Sequence, residues 1–243
     1  MPKSPLPPGH SRESFPTTRW SLILEAGDAG LDAHKALAEL CRIYWYPIFA
    51  YIRRTGHDAN DAEDLTQTYF ARLLEKGVIA AADQRKGRFR AFLRTDCHHF
   101  LIDQHRRHSR ERAVASISID TSDGEGRYRH ELADGNTLDH HFDRTWAVTL
   151  LGRVLELLGE EYARSGRSLH FDQLKIVLVE GRRSISAATL AARLGISENA
   201  VNVAVHRLRK RYRTILEEQV AATLDDPAEI ADEIRSLFDA LTK

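Results

Sequence analysis

Histidines and acids within one basic stretch are the residues of this chain best suited to chemistry. Four histidines fall between His98 and His108, and Asp103 stands among them. A set such as His98, Asp103 and His105 could hold a metal ion and activate water for hydrolysis. However, no cysteine pair and no His-Glu helix motif accompanies the set, and Cys97 has no carboxylate and imidazole arranged around it. We therefore predict no catalytic residue, no metal site and no cofactor, and rank a metal-dependent nuclease third of three interpretations.

The same stretch interleaves aromatic and cationic side chains. Between residues 85 and 112 there are nine Lys or Arg against three Asp or Glu. Basic grooves with aromatic faces suit single-stranded nucleic acid, because each stacked base contributes about 1–3 kcal/mol while cations follow the backbone. Each aromatic taken singly fits a helical core equally well. The basic run as a whole favours a nucleic-acid contact.

A second basic element has the layout of a helix-turn-helix. Ser186 can cap a first helix, Gly195 can end it in the left-handed conformation, and Ser197 can cap a second helix. Apolar residues then recur every three or four positions from Val201 to Tyr212, which predicts a buried stripe. Between Arg193 and Arg213 there are six Lys or Arg against one Glu. An ordinary helical hairpin with a solvated basic face is the alternative, but the tight turn and the charge favour DNA binding in the major groove.

Net charge over the whole chain is zero, but the charges are unevenly distributed. Segment 217–243 has eight Asp or Glu against two Lys or Arg, which offsets the two basic stretches. Basic patches of that kind are typical of nucleic-acid-binding proteins. The two cysteines, Cys41 and Cys97, lie far apart, which suits a reducing compartment. Apolar runs are too short for a membrane span and the proline-rich start lacks a signal-peptide core, so we expect a soluble, cytoplasmic protein without a membrane partner.

Helical periodicity and the absence of alternating strands predict an all-α fold with two helical domains joined by a flexible linker. The first helix is expected near residues 19–24, and Pro47 should kink the second helix or mark a junction. The Gly-, Asp- and Ser-rich stretch after residue 112 shows no periodic pattern and reads as the linker. The predicted units are a disordered leader (1–16), a first helical domain (17–112), the linker (113–143), a helix-turn-helix domain (144–222) and an acidic helical extension (223–243).

Both basic elements resemble parts of one protein family. The stretches DAEDLTQTYFARLLEKG (Asp61–Gly77) and FRAFLRTDCHHFLIDQHRR (Phe89–Arg107) resemble region two of bacterial sigma factors of the extracytoplasmic-function type. The stretch LAARLGISENAVNVAVHRLRKRYR (Leu190–Arg213) resembles region four of the same family. This resemblance implies a non-enzymatic initiation factor that binds RNA polymerase core, recognises −35 and −10 promoter elements and promotes DNA melting. The rival of another class is a stand-alone helix-turn-helix regulator, which leaves both upstream stretches unexplained.

Site residues follow from the resemblance position by position. An acidic helix would dock on the clamp helices of the largest polymerase subunit, and its implied contacts are Asp61, Glu63, Asp64 and Gln67. The next helix would open the −10 element and capture an unpaired base of the melted strand; its implied contacts are Arg88, Phe89, Arg90, Arg94, His98, His99, Asp103, Arg106 and Arg107. The recognition helix would read the double-stranded −35 element through Ser197, Glu198, Asn199, Asn202, Val203, His206, Arg207, Arg209 and Lys210.

Three features depart from the family pattern. His98 and His99 replace the usual Arg-Asn pair, so the −10 base preference does not transfer. Val203 and Ala204 replace a common Ser-Arg pair, which predicts a different −35 preference. The acidic extension runs past the usual end of the family; it either packs on its own domain or competes with DNA, or with a partner such as an anti-sigma protein, for the basic helix.

Overall fold

The structure, a computed structural model, describes residues 31–74, 88–115, 135–181, 185–224 and 226–242. Throughout these ranges the regular elements are helices, which confirms the predicted all-α class. The helices are α1 (Leu31–Arg54), α2 (Ala59–Leu74), α3 (Phe89–Ala115), α4 (Gly135–Arg164), α5 (Ser168–Leu174), α6 (Ile176–Val179), α7 (Ala187–Leu194), α8 (Glu198–Ala221) and α9 (Ile230–Thr242), with a 3₁₀ turn at Pro227–Glu229. The predicted leader and the helix near residues 19–24 lie outside the described residues. None of the described helices combines the length and apolarity that a membrane span requires.

The first half of the core forms where α1, α2 and α3 meet. α1 continues through Pro47, the residue expected to mark a kink or junction, and packs on α2. Tyr69 of α2 is fully buried and its hydroxyl donates a hydrogen bond to the Leu93 carbonyl of α3, 3.0 Å away. Because the buried hydroxyl has this partner, the tyrosine adds apolar area to the core without an unsatisfied polar group.

The long helix α4 joins the two halves of the chain. It packs against α1 and α3 on one side and against α5, α8 and α9 on the other. Its Phe142 is fully buried and meets the Tyr51 ring of α1 edge to face, with centroids 6.1 Å apart. Arg153 of α4 donates from Nη2 to Glu39 of α1 over 2.8 Å. The buried side chains of both halves therefore belong to one continuous hydrophobic cluster.

Residues 135–143, the last part of the predicted linker, are helical instead. α4 begins at Gly135, and its Leu138 and Phe142 are buried. The physical reason is a spacing of four between Leu138, Phe142 and Trp146, which places all three on one helical face. The polar composition before Gly135 obscured this pattern in the sequence. α3 extends to Ala115, past residue 113 where the linker was predicted to begin; residues 116–134 lie outside the described ranges.

The helix-turn-helix forms as its caps predict. The Ser186 hydroxyl accepts a hydrogen bond from the Thr189 amide over 3.0 Å at the start of α7. Gly195 ends α7 with φ 65°, a left-handed conformation that glycine adopts at little cost. The Ser197 hydroxyl accepts from the Ala200 amide over 3.2 Å and starts α8. Local chemistry alone therefore fixes the turn between the two helices.

Candidate nucleic-acid interface

The outer face of α8 carries the residues predicted to read duplex DNA. On its inner face Val201, Val205 and Leu208 are buried. The predicted −35 residues are all exposed: Ser197, Glu198, Asn199, Asn202, Val203, His206, Arg207, Arg209 and Lys210. Helical geometry places the positions 199, 202, 203, 206 and 210 on one side. α8 therefore presents a continuous polar and cationic face whose size suits a major groove.

Contacts with α4 hold the C-terminal half of α8. The Arg211 guanidinium donates from Nε to Glu161 over 2.9 Å and from Nη1 to Glu218 over 3.0 Å. The Tyr212 hydroxyl donates to the Leu151 carbonyl over 3.2 Å, and burial raises the pKa of Tyr212 to about 12. These contacts tie the base of α8 to the body of the protein and leave its N-terminal half turned outward. Arg211 is thus a structural cation rather than a DNA contact.

A second charged face lies on α2. Ala62, Thr66 and Tyr69 are buried against the core. The residues predicted to bind polymerase are all exposed: Asp61, Glu63, Asp64 and Gln67. The Asp58 carboxylate accepts from the Asp61 amide over 2.9 Å, which fixes the start of this helix. The separation of acidic and apolar faces makes α2 suited to docking on a basic partner.

The predicted −10 residues divide into two groups along α3. Near its start, Phe89 and Arg90 are only 8% and 6% exposed. Further along, His98 is half-buried, whereas the side chains of the second group face solvent: His99, Asp103, Arg106 and Arg107. Phe89 packs edge to face on Tyr44 with centroids 5.3 Å apart, so it is a core residue. The structure does not present Phe89 and Arg90 to DNA, in contrast to the prediction, because α1 covers Phe89 and residues of α4 and α9 cover Arg90.

Three arginines at the start of α3, which we name the arginine cluster (Arg88, Arg90 and Arg94), are paired with carboxylates. Arg88 lies 2.8 Å and Arg90 3.2 Å from the Glu233 carboxylate of α9. Asp143 of α4 lies 3.5 Å from Arg90 and 3.7 Å from Arg94. Asp139 of α4 lies 3.0 Å from Arg94. We call Asp139, Asp143 and Glu233 the acidic cover.

Sequence analysis did not identify the acidic cover. The sequence shows an acidic C-terminal segment, which contains Glu233, and a basic helix. These two features do not specify which carboxylate pairs with which arginine. Burial raises the pKa of the Glu233 carboxyl, while the guanidinium groups of Arg90 and Arg88 oppose that change. Burial likewise raises the pKa of Asp139, opposed by Arg94. The cover is therefore a set of charged groups partly withdrawn from water.

The described histidines of α3 lie in different surroundings. His98 Nδ1 lies 3.3 Å from the Tyr51 hydroxyl, at the edge of the core. His105 and His108 line a cleft between α2 and α3 together with His57 and Asp61. Among the described residues, no group of three or more histidines, cysteines or acids is arranged to bind a metal. His98 therefore lies at the edge of the core, whereas His105 and His108 lie in the cleft.

Acidification is expected to destabilise this fold through three of its histidines. Burial lowers the pKa of His57, His98 and His141; neighbouring histidines or arginines add to this effect, while carboxylates oppose it at His57 (Asp61 and Asp58) and at His98 (Asp139). The unfolded chain binds a proton near the usual pKa of about 6.5, so it holds more protons than the folded state as the pH falls below that value. Stability is full above that pH and declines below it. Urea unfolding at pH 7.5 and pH 5.5 measures the loss.

Glutamine variants test this assignment. Replacing His57, His98 and His141 together by glutamine should reduce the pH dependence of the urea midpoint. His206→Gln, at an exposed position on α8, should leave it unchanged. An identical pH dependence in the triple variant and the unmodified protein would contradict the prediction.

Comparison with known proteins identifies part of the chain. Residues 46–111 match the family model described as Sigma-70 region 2. The matched segment covers the last nine residues of α1, all of α2 and nearly all of α3, and so contains the acidic face of α2 and the arginine cluster. No curated protein and no solved structure matches the chain.

Proposed function

We propose that this chain is a two-domain sigma factor of the extracytoplasmic-function type, because its residues 46–111 match region 2 of the sigma-70 family. A sigma factor acts in transcription initiation, with RNA polymerase core and promoter DNA as its partners. Sigma-70-family factors are not catalysts; they direct the polymerase that they bind. The cytoplasm, where core polymerase works, is the proposed location. We propose a region-two-like unit over residues 17–112 and a region-four-like unit that ends at residue 222 and includes α4 from Gly135 onward.

The observation that carries this proposal is the two-faced helix α2 inside the matched segment. Its acidic residues are exposed while its apolar residues are buried, so its outer face is accessible to a partner. The exposed carboxylates of Asp61, Glu63 and Asp64 complement a basic helical surface such as the polymerase clamp helices. A stand-alone helix-turn-helix regulator would need neither this face nor a region 2.

DNA contacts are assigned to two faces far apart in sequence. α8 would read the −35 element with its exposed amides and cations, and Asn202 suits the paired donor and acceptor that adenine offers. The Val203 side chain is 43% exposed among these polar groups, and it would contact a thymine methyl group in the groove. The exposed part of α3, from His99 to Arg107, would contact the melted −10 strand, where cations bind phosphates and an imidazole can stack on an unpaired base.

Reconstitution tests the proposal directly. The chain is mixed with bacterial core polymerase and a promoter library, and run-off transcripts are sequenced. We expect core binding and transcripts that share −35 and −10 sequences. Absence of core binding together with duplex binding to a palindrome would favour the stand-alone regulator, and metal-dependent DNA cleavage would favour a nuclease. Either result would refute a sigma factor role.

Asp64→Arg is expected to weaken binding to core polymerase by about tenfold or more, which corresponds to about 1.4 kcal/mol. The reason is that an exposed carboxylate on the docking face becomes a like charge toward a basic partner. Fluorescence anisotropy of the labelled chain with core polymerase gives the affinity. Binding of the same variant to −35 duplex DNA should be unchanged, since α8 carries that contact.

A matched control makes the same charge change elsewhere. Glu180→Arg alters an exposed acid outside the matched segment and should leave core binding within about twofold of the unmodified protein. Equal losses in the two variants would show that net charge, rather than the α2 face, governs the affinity.

A further inference from the structure

The partners of the arginine cluster come from elements distant in sequence. Glu233 is 2% exposed and contacts both Arg88 and Arg90 from α9. The Ser236 hydroxyl, one turn later, accepts a hydrogen bond from Arg90 Nη2 over 2.8 Å. The Arg90 guanidinium also lies over the Trp146 ring, 4.6 Å from its centroid. The start of α3 is therefore enclosed by α4 on one side and by α9 on the other.

The hydrophobic face of α9 determines where Glu233 lies. Leu237 is fully buried and Ala240 is 7% exposed, on a helix that packs against α4 and α8. Glu233 precedes Leu237 by four residues and so lies on the same face. The other acids of this helix, Asp232 and Asp239, point to solvent. Packing of the apolar face of α9 thus places the Glu233 carboxylate against the arginine cluster.

We propose that α9 is an intramolecular competitor of DNA, whose Glu233 occupies the phosphate-binding positions of Arg88 and Arg90 until promoter DNA displaces it. The inference rests on the proposed function, because it extends the −10 contact from the exposed part of α3 to the start of that helix once α9 is displaced. A guanidinium binds a carboxylate or a phosphate oxygen through the same N–H groups, so one occupant excludes the other. The Asp139 and Asp143 carboxylates of α4 hold Arg94 and the far side of Arg90 in the same way.

Incomplete hydrogen bonding allows this contact to be exchanged. Among the described residues, the buried atoms Arg90 Nη1, Asp143 Oδ1 and Glu233 Oε2 meet opposite charges at ion-pair distance without the geometry of a hydrogen bond. Buried ion pairs recover their desolvation cost only when their remaining polar atoms are also satisfied. A polyanion that offers several phosphates can therefore replace the Glu233 carboxylate. A network with complete hydrogen bonding would resist this replacement.

The test uses Glu233→Gln in the full chain, with Asp232→Asn as the matched control. Asp232 is adjacent to Glu233 and its substitution removes the same charge. Among the described residues, its ion-pair partner is Arg235 of the same helix, 2.7 Å away. Affinity for a labelled, mixed-sequence single-stranded oligonucleotide is measured across a salt series. Each phosphate contact adds about 0.7 to the slope of log affinity against log salt. We expect Glu233→Gln to steepen that slope by about 0.7, as Arg88 is released, and to tighten binding severalfold, whereas Asp232→Asn matches the unmodified protein.

A second measurement needs no variant. Hydrogen exchange of the unmodified protein should rise across residues 226–242 and fall across the start of α3 when the oligonucleotide is added. Unchanged exchange in α9 at saturating DNA would overturn the proposal. An unaltered salt slope in a folded Glu233→Gln protein would do the same.

Failure of this inference is distinguishable from failure of the proposed function. A chain that binds core polymerase and yields transcripts, but whose Glu233→Gln variant binds DNA like the unmodified protein, remains a sigma factor without this competition. A chain that neither binds core polymerase nor binds single-stranded DNA with any variant overturns both.

Discussion

Trp146→Ala is expected to lower the free energy of unfolding by about 3–5 kcal/mol, the largest effect of any single apolar substitution considered. The indole is 1% exposed and lies where α4 meets α3, under the Arg90 guanidinium. Its removal deletes the transfer free energy of a large side chain and leaves a cavity that a packed helical core fills only in part. Urea unfolding followed by far-ultraviolet circular dichroism measures the change without relying on tryptophan fluorescence.

Val148→Ala supplies the control on the same helix. Val148 is 57% exposed, so its truncation creates no cavity and should change stability by no more than about 0.5 kcal/mol. A loss below about 1 kcal/mol in Trp146→Ala would contradict the packing of α4 against α3 described above. Because α4 shares one core with both halves, the unmodified protein should also unfold in a single transition.

Arg90→Ala is expected to cost about 3 kcal/mol, because it removes the buried guanidinium from the buried Glu233 carboxylate and from the half-buried Asp143, and leaves each with one, more exposed arginine. Arg90 is 6% exposed and contacts both Glu233 and Asp143. Loss of its guanidinium also removes the cation over Trp146 and the hydrogen bond to Ser236. The same denaturation experiment gives the magnitude.

Two further variants separate the loss of charge from the loss of side-chain volume in the effect of Arg90→Ala on stability. Arg235→Ala removes an exposed arginine, 70% accessible and paired with Asp232, and should cost less than about 1 kcal/mol. Adding Glu233→Gln to Arg90→Ala should recover part of the lost stability, because the buried carboxylate that has lost one of its two arginines is then neutral. If the double variant lost more free energy of unfolding than the two single variants lose in total, the cost of Arg90→Ala would not arise from an uncompensated carboxylate.

Local features of the protein were predictable from the sequence. Ser186, Gly195 and Ser197 determine the helix-turn-helix, since each acts on backbone groups within three to five residues of itself. The acidic and apolar faces of α2 follow from helical periodicity in the same way. Every residue predicted for the −35 face and for the polymerase face is exposed, because both helices bury a single, well-defined stripe.

Periodicity gave less information about α3. Apolar and cationic residues occur around its whole circumference, so its sequence did not indicate which side is covered. Phe89 and Phe100 are core residues, whereas Arg106 and Arg107 face solvent. Packing against helices that are distant in sequence determines which side of α3 is buried.

The sequence by itself determined the helical class, the turn of the helix-turn-helix and the two outward charged faces, all of which depend on neighbours within a few residues. Only the tertiary structure decided that α4 begins at Gly135, that it joins both halves in one core, and that the arginine cluster is covered by carboxylates. The contact between Arg90 and Ser236 spans 146 positions of sequence. No helical or strand period links residues so far apart; they meet because the apolar faces of α4 and α9 pack together and bring their charged neighbours along.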